Sequence, residues 1–320
     1  MPAMRRLTGI LFSLAVLLGA IVAFSPRAIP VFPETGMRAD TVLLLDAARA
    51  GKRLVTAGER GRIFLSDDEG ATWRAAVSPA QATLTALHFL DAQQGWAAGH
   101  DGVVLHTADG GANWKQLRHA PEDERPLFAI HFNDPQHGVA AGAYGAYLES
   151  RDGGRSWVER KITDSDRHFN AMTVTGSGLR LIAGESGTLL TSGDGGENWK
   201  PLPSPYKGSF FGLISPGKTS LVIFGLRGHV FHSTDLGGQW QAAQSQTQAS
   251  LMGGRAVDAG AVVLVGQNGT ALLSRDGGQT FAMHRDAGGA AFATALPAAN
   301  GDLLAFGERG VTRIPGLAKP

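Results

Sequence analysis

Six times the chain writes nearly the same eight residues, at nearly the same interval. The first copy is Ser66-Asp67-Asp68-Glu69-Gly70-Ala71-Thr72-Trp73. The others end at Trp114, Trp157, Trp199, Trp240 and Phe281, in steps of 41, 43, 42, 41 and 41 residues. A period of about 40–50 residues with strand-like flanks marks a β-propeller, in which each repeat is one blade that cannot bury its apolar face alone. A second motif runs in phase with the first. Gly58-Glu59-Arg60-Gly61, Gly99-His100-Asp101-Gly102 and Gly142-Ala143-Tyr144-Gly145 are followed by Gly184-Glu185-Ser186-Gly187, Gly225-Leu226-Arg227-Gly228, Gly266-Gln267-Asn268-Gly269 and Gly307-Glu308-Arg309-Gly310. Seven glycine turns against six boxes decide for seven blades.

Each repeat reads as four antiparallel strands. In the second, Thr83–Phe89 alternates and is expected innermost, with Gly95–Ala98, Val103–Thr107 and Trp114–Leu117 following outward. The two residues between the flanking glycines are expected to form a tight hairpin loop joining the second strand to the third. The eight-residue box joins the third strand to the fourth. Its Ser or Thr hydroxyl and its carboxylate (Asp68, Asp109, Asp152, Asp194, Asp235, Asp276) suit turn amides, its Gly suits a positive φ, and its Trp anchors the turn on the sheet. Those six aspartates are therefore assigned structural work. The seventh repeat, Ala291 to Pro315, has three strands and no box. The segment Ile29–Phe32 is the candidate for its missing outer strand, which would pair the two chain ends and protect an open edge. Pro30 and Pro33 suit an edge position.

The N-terminus differs in kind. Arg5 and Arg6 precede an uncharged apolar run from Leu7 to Phe24, which reads as an export signal or as a single membrane-anchor helix. Both arginines are expected on the cytoplasmic side, with the propeller outside it, in the periplasm or an equivalent compartment. The expected organisation is thus a signal or anchor over 1–25, a linker with the closing strand over 26–37, and an all-β propeller over 38–320. The chain has no cysteine, so no disulfide supports this fold and no lipid is attached through one. A net charge of +1 gives no global field to recruit nucleic acid.

The box pattern Ser/Thr-x-Asp-x-Gly-x-Thr-Trp is the Asp-box of BNR repeats, found in sialidases and in non-enzymatic propellers. The whole repeat resembles more closely the photosystem II stability/assembly factor family of seven-bladed propellers. The likeness lies in phrases such as Phe89-Leu90-Asp91, Gly95-Trp96-Ala97-Ala98-Gly99 and Thr107-Ala108-Asp109-Gly110-Gly111-Ala112-Asn113-Trp114, and covers roughly residues 38–315. The resemblance implies an exported, membrane-associated, non-catalytic protein. Such a protein holds a membrane-protein subunit while its complex forms, through an arginine-rich surface. It implies no small-molecule substrate and a monomeric propeller.

A sialidase-like or glycan-binding propeller is the competing class. Sialidase chemistry needs an arginine cluster, a Tyr–Glu pair and an acid/base Asp. Here Arg313-Ile314-Pro315 stands in the last blade instead of ahead of the first box, and tyrosine occurs only at 144, 147 and 206. Tyr144 and Glu185 occupy turns of adjacent blades, a solvated place for a nucleophile pair. The loop-face aromatics expected to serve a glycan are Tyr144, Tyr206, Phe210 and Phe169, a short set. No metal and no cofactor is expected, because each box offers one fixed carboxylate where calcium takes 6–8 oxygens. His88 and His131 recur at equivalent inner-strand positions, which the repeat explains. The partner-binding candidates are the turn and link residues, where the seven copies differ: Arg60, Arg227, Arg309, Arg285, Arg167 and Tyr144, with Arg125 and Lys207 nearby. Glu59 and Glu308 stand beside two of these arginines and are placed to neutralise them.

Overall fold

The structure is a computed structural model that describes residues 38–257 and 260–318, together with Leu17. Apart from Leu17, the expected anchor lies outside the described residues, as does the proposed closing strand Ile29–Phe32. Among the described residues no helix is long and apolar enough to cross a membrane. Seven antiparallel sheets follow one another along the chain, six with four strands and the last with three. The inner strands are Leu44–Ala50, Leu84–Phe89, Leu127–Phe132, Phe169–Val174, Phe210–Ile214, Leu251–Ala256 and Phe292–Pro297. Each begins with a large apolar side chain that is at most 2% exposed, wedged between its own blade and a neighbour. Burying that series supplies the nonpolar driving force for stacking blade on blade.

The two glycines of each turn do different jobs. The first pairs with the opening residue of its inner strand (Leu44↔Gly58, Leu84↔Gly99 and so on round the ring) in ordinary extended backbone. A Cβ there would lie 1.9–2.4 Å from the carbonyl oxygen of the residue before that strand, in all seven blades. The same oxygen accepts the next amide, as in Glu59 N to Leu43 O at 3.0 Å and Ala143 N to Pro126 O at 2.9 Å. The second glycine takes a positive φ. In six blades the residue before it does so too (Arg60, Asp101, Tyr144, Ser186, Arg227, Asn268), and the amide after it closes a type I′ turn, as in Arg62 N to Glu59 O at 3.0 Å. The loop therefore sits one residue later than the glycine spacing suggests. Only in blade 7, where Gly307 pairs with Gly310, do the two residues between the glycines form it. The sliding has a cause: the first glycine must keep its place in the ladder to let the carbonyl approach.

Blade 7 packs on blade 1 to close the ring. Leu296, Leu304 and Phe306 share a core cluster with Leu44, Leu54 and Phe64. Arg49 and Glu69, both of blade 1, form a two-pronged pair (2.9 and 2.7 Å), and across the same seam Arg49 donates to Pro297 O at 2.7 Å. Glu69 also accepts Ala299 N at 3.0 Å, and Arg313 donates to Glu69 O at 2.7 Å and to Asp302 at 3.0 Å. Gly310 approaches Ala39 O as Gly61 approaches Ala80 O, so Ala39 takes the place of a blade-to-blade link.

Gly142→Ala tests this reading of the first glycine. Its Cβ would sit 2.1 Å from Pro126 O, whereas Gly176 has nothing within 4 Å. Urea unfolding should show Gly142→Ala destabilised by about 1–3 kcal/mol and Gly176→Ala near wild type. Equal stabilities would remove the close-approach argument.

Candidate functional site

Chain direction sorts the surface into two faces. The third strand of each blade starts at the glycine turn and ends at the box, so turns and boxes lie on opposite faces. The links from one blade's outer strand to the next inner strand return to the turn face.

On the box face each box closes on itself through hydrogen bonds. Ser150 Oγ donates to Asp152 Oδ1 at 2.9 Å and accepts Gly154 N at 2.8 Å, while Asp152 accepts Ser156 N at 2.9 Å and the Ser156 hydroxyl at 2.6 Å. The same pattern of hydroxyl, carboxylate and amides holds Asp68, Asp109, Asp194, Asp235 and Asp276. The indole N–H of Trp114 donates to Gly111 O at 2.8 Å and that of Trp157 to Gly154 O at 3.0 Å. Hydrogen bonds from the Thr72 and Ser156 hydroxyls, followed by those residues' own amides, hold the Asp68 and Asp152 carboxyls down at about 2. At Asp276 burial pushes upward, but the Thr280 hydroxyl and amide override it, again to about 2. No group of three or more metal-ligating side chains forms among the described residues.

On the turn face, Arg60, Arg227 and Arg309 are exposed at the turns of blades 1, 5 and 7, and Arg285 ends the outer strand of blade 6. These four lie on one continuous arc of blades 5, 6, 7 and 1. Arg309 Nη1 comes within 3.5 Å of where a Cβ on Gly288 would be, in the link that follows Arg285. Arg167 and Tyr144 stand apart, in the region of blades 3 and 4. Neither Arg60, Arg167, Arg227, Arg285 nor Arg309 forms an ion pair with a described residue. Glu59 and Glu308 do not neutralise them. Each carboxylate folds back onto a link amide, Glu59 to Leu43 N at 3.2 Å and Glu308 to Ala291 N at 3.0 Å. Arg125 does not belong with this set, because Glu159 (2.7 and 2.9 Å) and Asp123 clamp it. Two of the free arginines also carry a conformational cost. Arg60 (φ 53°) and Arg227 (φ 56°) hold left-handed backbone, which costs an ordinary residue about 1–2 kcal/mol and is eased by Asn or Gly.

Two of the four expected loop-face aromatics are instead core. Phe169 and Phe210 are fully buried at the head of their inner strands. Tyr206 stacks on His229 at 4.2 Å, and only Tyr144 is well exposed, its ring edge against His168. The residues just after those buried heads face a central channel of about 470 Å³: Leu45, Thr85, Phe128, Asn170, Phe211, Met252 and Ala293. Strand alternation could have located them, since the neighbour of a core residue points the other way. Deeper in, Arg255 of blade 6 reaches past blade 7 to donate to Ala47 O at 2.7 Å, 3.9 Å from the Asp46 carboxylate. Burial pushes the Asp46 carboxyl up, against the pull of Arg255.

The elements of a sialidase site are not brought together. Arg313 is held in the ring seam, and among the described residues no hydrogen bond joins Tyr144 to Glu185, whose carboxylate accepts His168 N at 3.3 Å. His88 and His131 lie with ring centroids 4.4 Å apart and planes tilted by 53°, and burial lowers both, His131 to about 4, so both rings are neutral at pH 7.

A profile of the family described as Photosynthesis system II assembly factor YCF48 matches residues 119–280. Among solved structures, "YCF48 bound to D1 peptide" is similar at 19% identity and a TM-score of 0.69, covering 89% of this chain and 98% of that one. YCF48 from Cyanidioschyzon merolae is similar at 17% identity and a TM-score of 0.68, covering 87% and 97%. The WD40 propeller domain of Doa1 is similar at 12% identity and a TM-score of 0.68, covering 85% and 92%, which underlines that this likeness is one of fold. A comparison with curated protein sequences gives no match.

The box carboxyls make the acid limb of stability a test of their role. Their folded values, about 2, lie below the unfolded value, so their contribution is full above about pH 4 and is lost as pH falls toward about 2. Urea midpoints should drop across that window. A triple variant Asp68→Asn, Asp152→Asn, Asp276→Asn should be less stable at pH 7 and show a flatter acid limb. An acid limb as steep as wild type would assign the proton uptake elsewhere.

Proposed function

This chain belongs to the Photosynthesis system II assembly factor YCF48 family, and on that basis we propose that it is a non-catalytic propeller that captures an acidic, extended segment of a membrane protein and assists assembly of its complex. The observation that carries this reading is the turn face: five exposed arginines with no ion pair to a described residue, four of them on the arc of blades 5, 6, 7 and 1. Free guanidiniums on turn tips suit carboxylate recognition, since each presents a planar fork of donors to a two-oxygen acceptor. Retaining Arg at left-handed positions where Asn would be cheaper is the mark of a residue kept for what it binds. The apolar channel mouth beside them, with Leu45, Phe128, Phe211 and Met252, offers a place for the segment's nonpolar side chains. A similar propeller solved with a D1 peptide supports a peptide as the form of the partner. We further place the propeller outside the cytoplasm, in keeping with Arg5 and Arg6 ahead of the apolar run 7–24.

Two measurements test this. Replacing Arg60, Arg227 and Arg309 together by Glu should abolish capture of acidic peptides and of the membrane partner, with thermal unfolding unchanged. Wild-type capture should weaken steeply with salt. Capture that survives the triple reversal would refute the arc as the docking site. The single variants Arg60→Asn and Arg227→Asn separate binding from folding: each should raise stability by up to about 1 kcal/mol while weakening capture.

A further inference from the structure

Tyr144 stands apart from the arginine arc and has no part in the docking described so far. It sits at the tip of the blade 3 turn with 59% of its surface open to solvent. Six turns hold a residue at left-handed φ in this position, and the other five are Arg60, Asp101, Ser186, Arg227 and Asn268. Blade 3 alone gives the position to an aromatic ring, and most of that ring stays outside the core.

The ring is nonetheless held in place. Its edge packs on His168 with centroids 4.7 Å apart, and His168 Nδ1 accepts Tyr144 N at 3.0 Å. His168 in turn meets Phe128 edge-on at 6.3 Å, and Phe128 lines the channel mouth. Tyr144, His168 and Phe128 thus continue the apolar surface of that mouth outward onto blade 3.

The charge around these rings is opposite to that of the arc. Glu185 Oε2 lies 3.9 Å from His168 Nε2. Asp166 borders the Tyr144 turn, its Cα 3.7 Å from where a Cβ on Gly145 would be. Over the turns of blades 2, 3 and 4 and the links between them, Asp101, Glu122, Glu124 and Asp166 are exposed and form no ion pair with a described residue. Among the described residues Arg167 is the one arginine or lysine there in the same state. An exposed aromatic face bordered by carboxylates attracts a cation, through the ring quadrupole and through charge.

We propose that Tyr144, with Asp166 and Glu185 beside it, docks a lysine or arginine side chain of the captured segment. The inference rests on the acidic segment proposed above and extends it. The segment's acidic residues lie over blades 5, 6, 7 and 1, its nonpolar residues over the channel mouth, and its basic residue over blades 3 and 4. Opposite charges at the two ends give such a segment one direction across the ring.

Fluorescence anisotropy of three labelled peptides with the full chain at low salt tests the proposal. The first peptide carries a Glu block, an apolar spacer and a Lys block. The second has the same composition with its charges interleaved, and the third has Gln in place of each Lys. Wild type should bind the first about fivefold more tightly than either control. Tyr144→Asn, which installs the residue of blade 6, should reduce that preference to about twofold, and so should Asp166→Asn with Glu185→Gln. Tyr144→Phe should keep it, because the ring face remains. Arg60→Glu, Arg227→Glu and Arg309→Glu together should weaken binding of all three peptides; unchanged binding would refute the arc and this site with it. Equal binding of the three peptides by wild type, or an undiminished preference in folded Tyr144→Asn, would overturn the Tyr144 site and leave the arc standing. A wild-type dimer that Tyr144→Asn disperses would overturn it too, by assigning this face to a second copy of the chain.

Discussion

A ring of sheets is only as stable as its seam, and here the seam joins blades that begin and end the described chain. Leu296, Leu304 and Phe306 pack against Leu44, Leu54 and Phe64, and Arg49, Glu69 and Arg313 tie backbone and side chains of both blades together across it. Glu69 belongs to the first box and takes the positive φ of 56° that its turn requires, so one residue serves both its own blade and the closure. Everything proposed for the turn face depends on that contact. Arg60 and Arg309 are far apart in sequence and become neighbours only because blade 7 meets blade 1.

The two faces divide labour on physical grounds. On the box face, hydroxyls, carboxylates and amides satisfy one another within eight residues, which leaves those aspartates low in basicity. On the turn face, backbone needs are met by the glycines and by link carbonyls. The side chains at the tips are therefore released from structural work, and the glutamates beside them are drawn onto link amides, not onto the arginines. Among the described residues, a set of cations without ion-pair partners is what that arrangement leaves at the surface. In the channel, by contrast, Arg255 and Asp46 compensate each other in partial burial and link blade 6 to blade 1.

Much of this was legible in the sequence because it is local and repeated. Boxes, glycines and their phase specify the blade, its turns and its sevenfold count, since each motif makes its hydrogen bonds within a few residues of itself. The one-residue slide of the hairpin loop escaped, because it follows from a carbonyl in the preceding link approaching the first glycine. Phe169 and Phe210 escaped as core residues because their burial is against a neighbouring blade, some forty residues away in sequence. Arg125 and Arg285 look alike in sequence as link-region arginines, yet Glu159 and Asp123 capture one and leave the other free.

By itself, then, the sequence determined the architecture of this protein: a periodic pattern of turn-forming residues admits only a periodic array of sheets, and the imbalance of seven turns to six boxes marks the blade at the seam. Only the tertiary structure decided which charges are available. Ion pairing, burial and the opening of a cleft depend on distances between blades, and those distances exist only once the ring has closed.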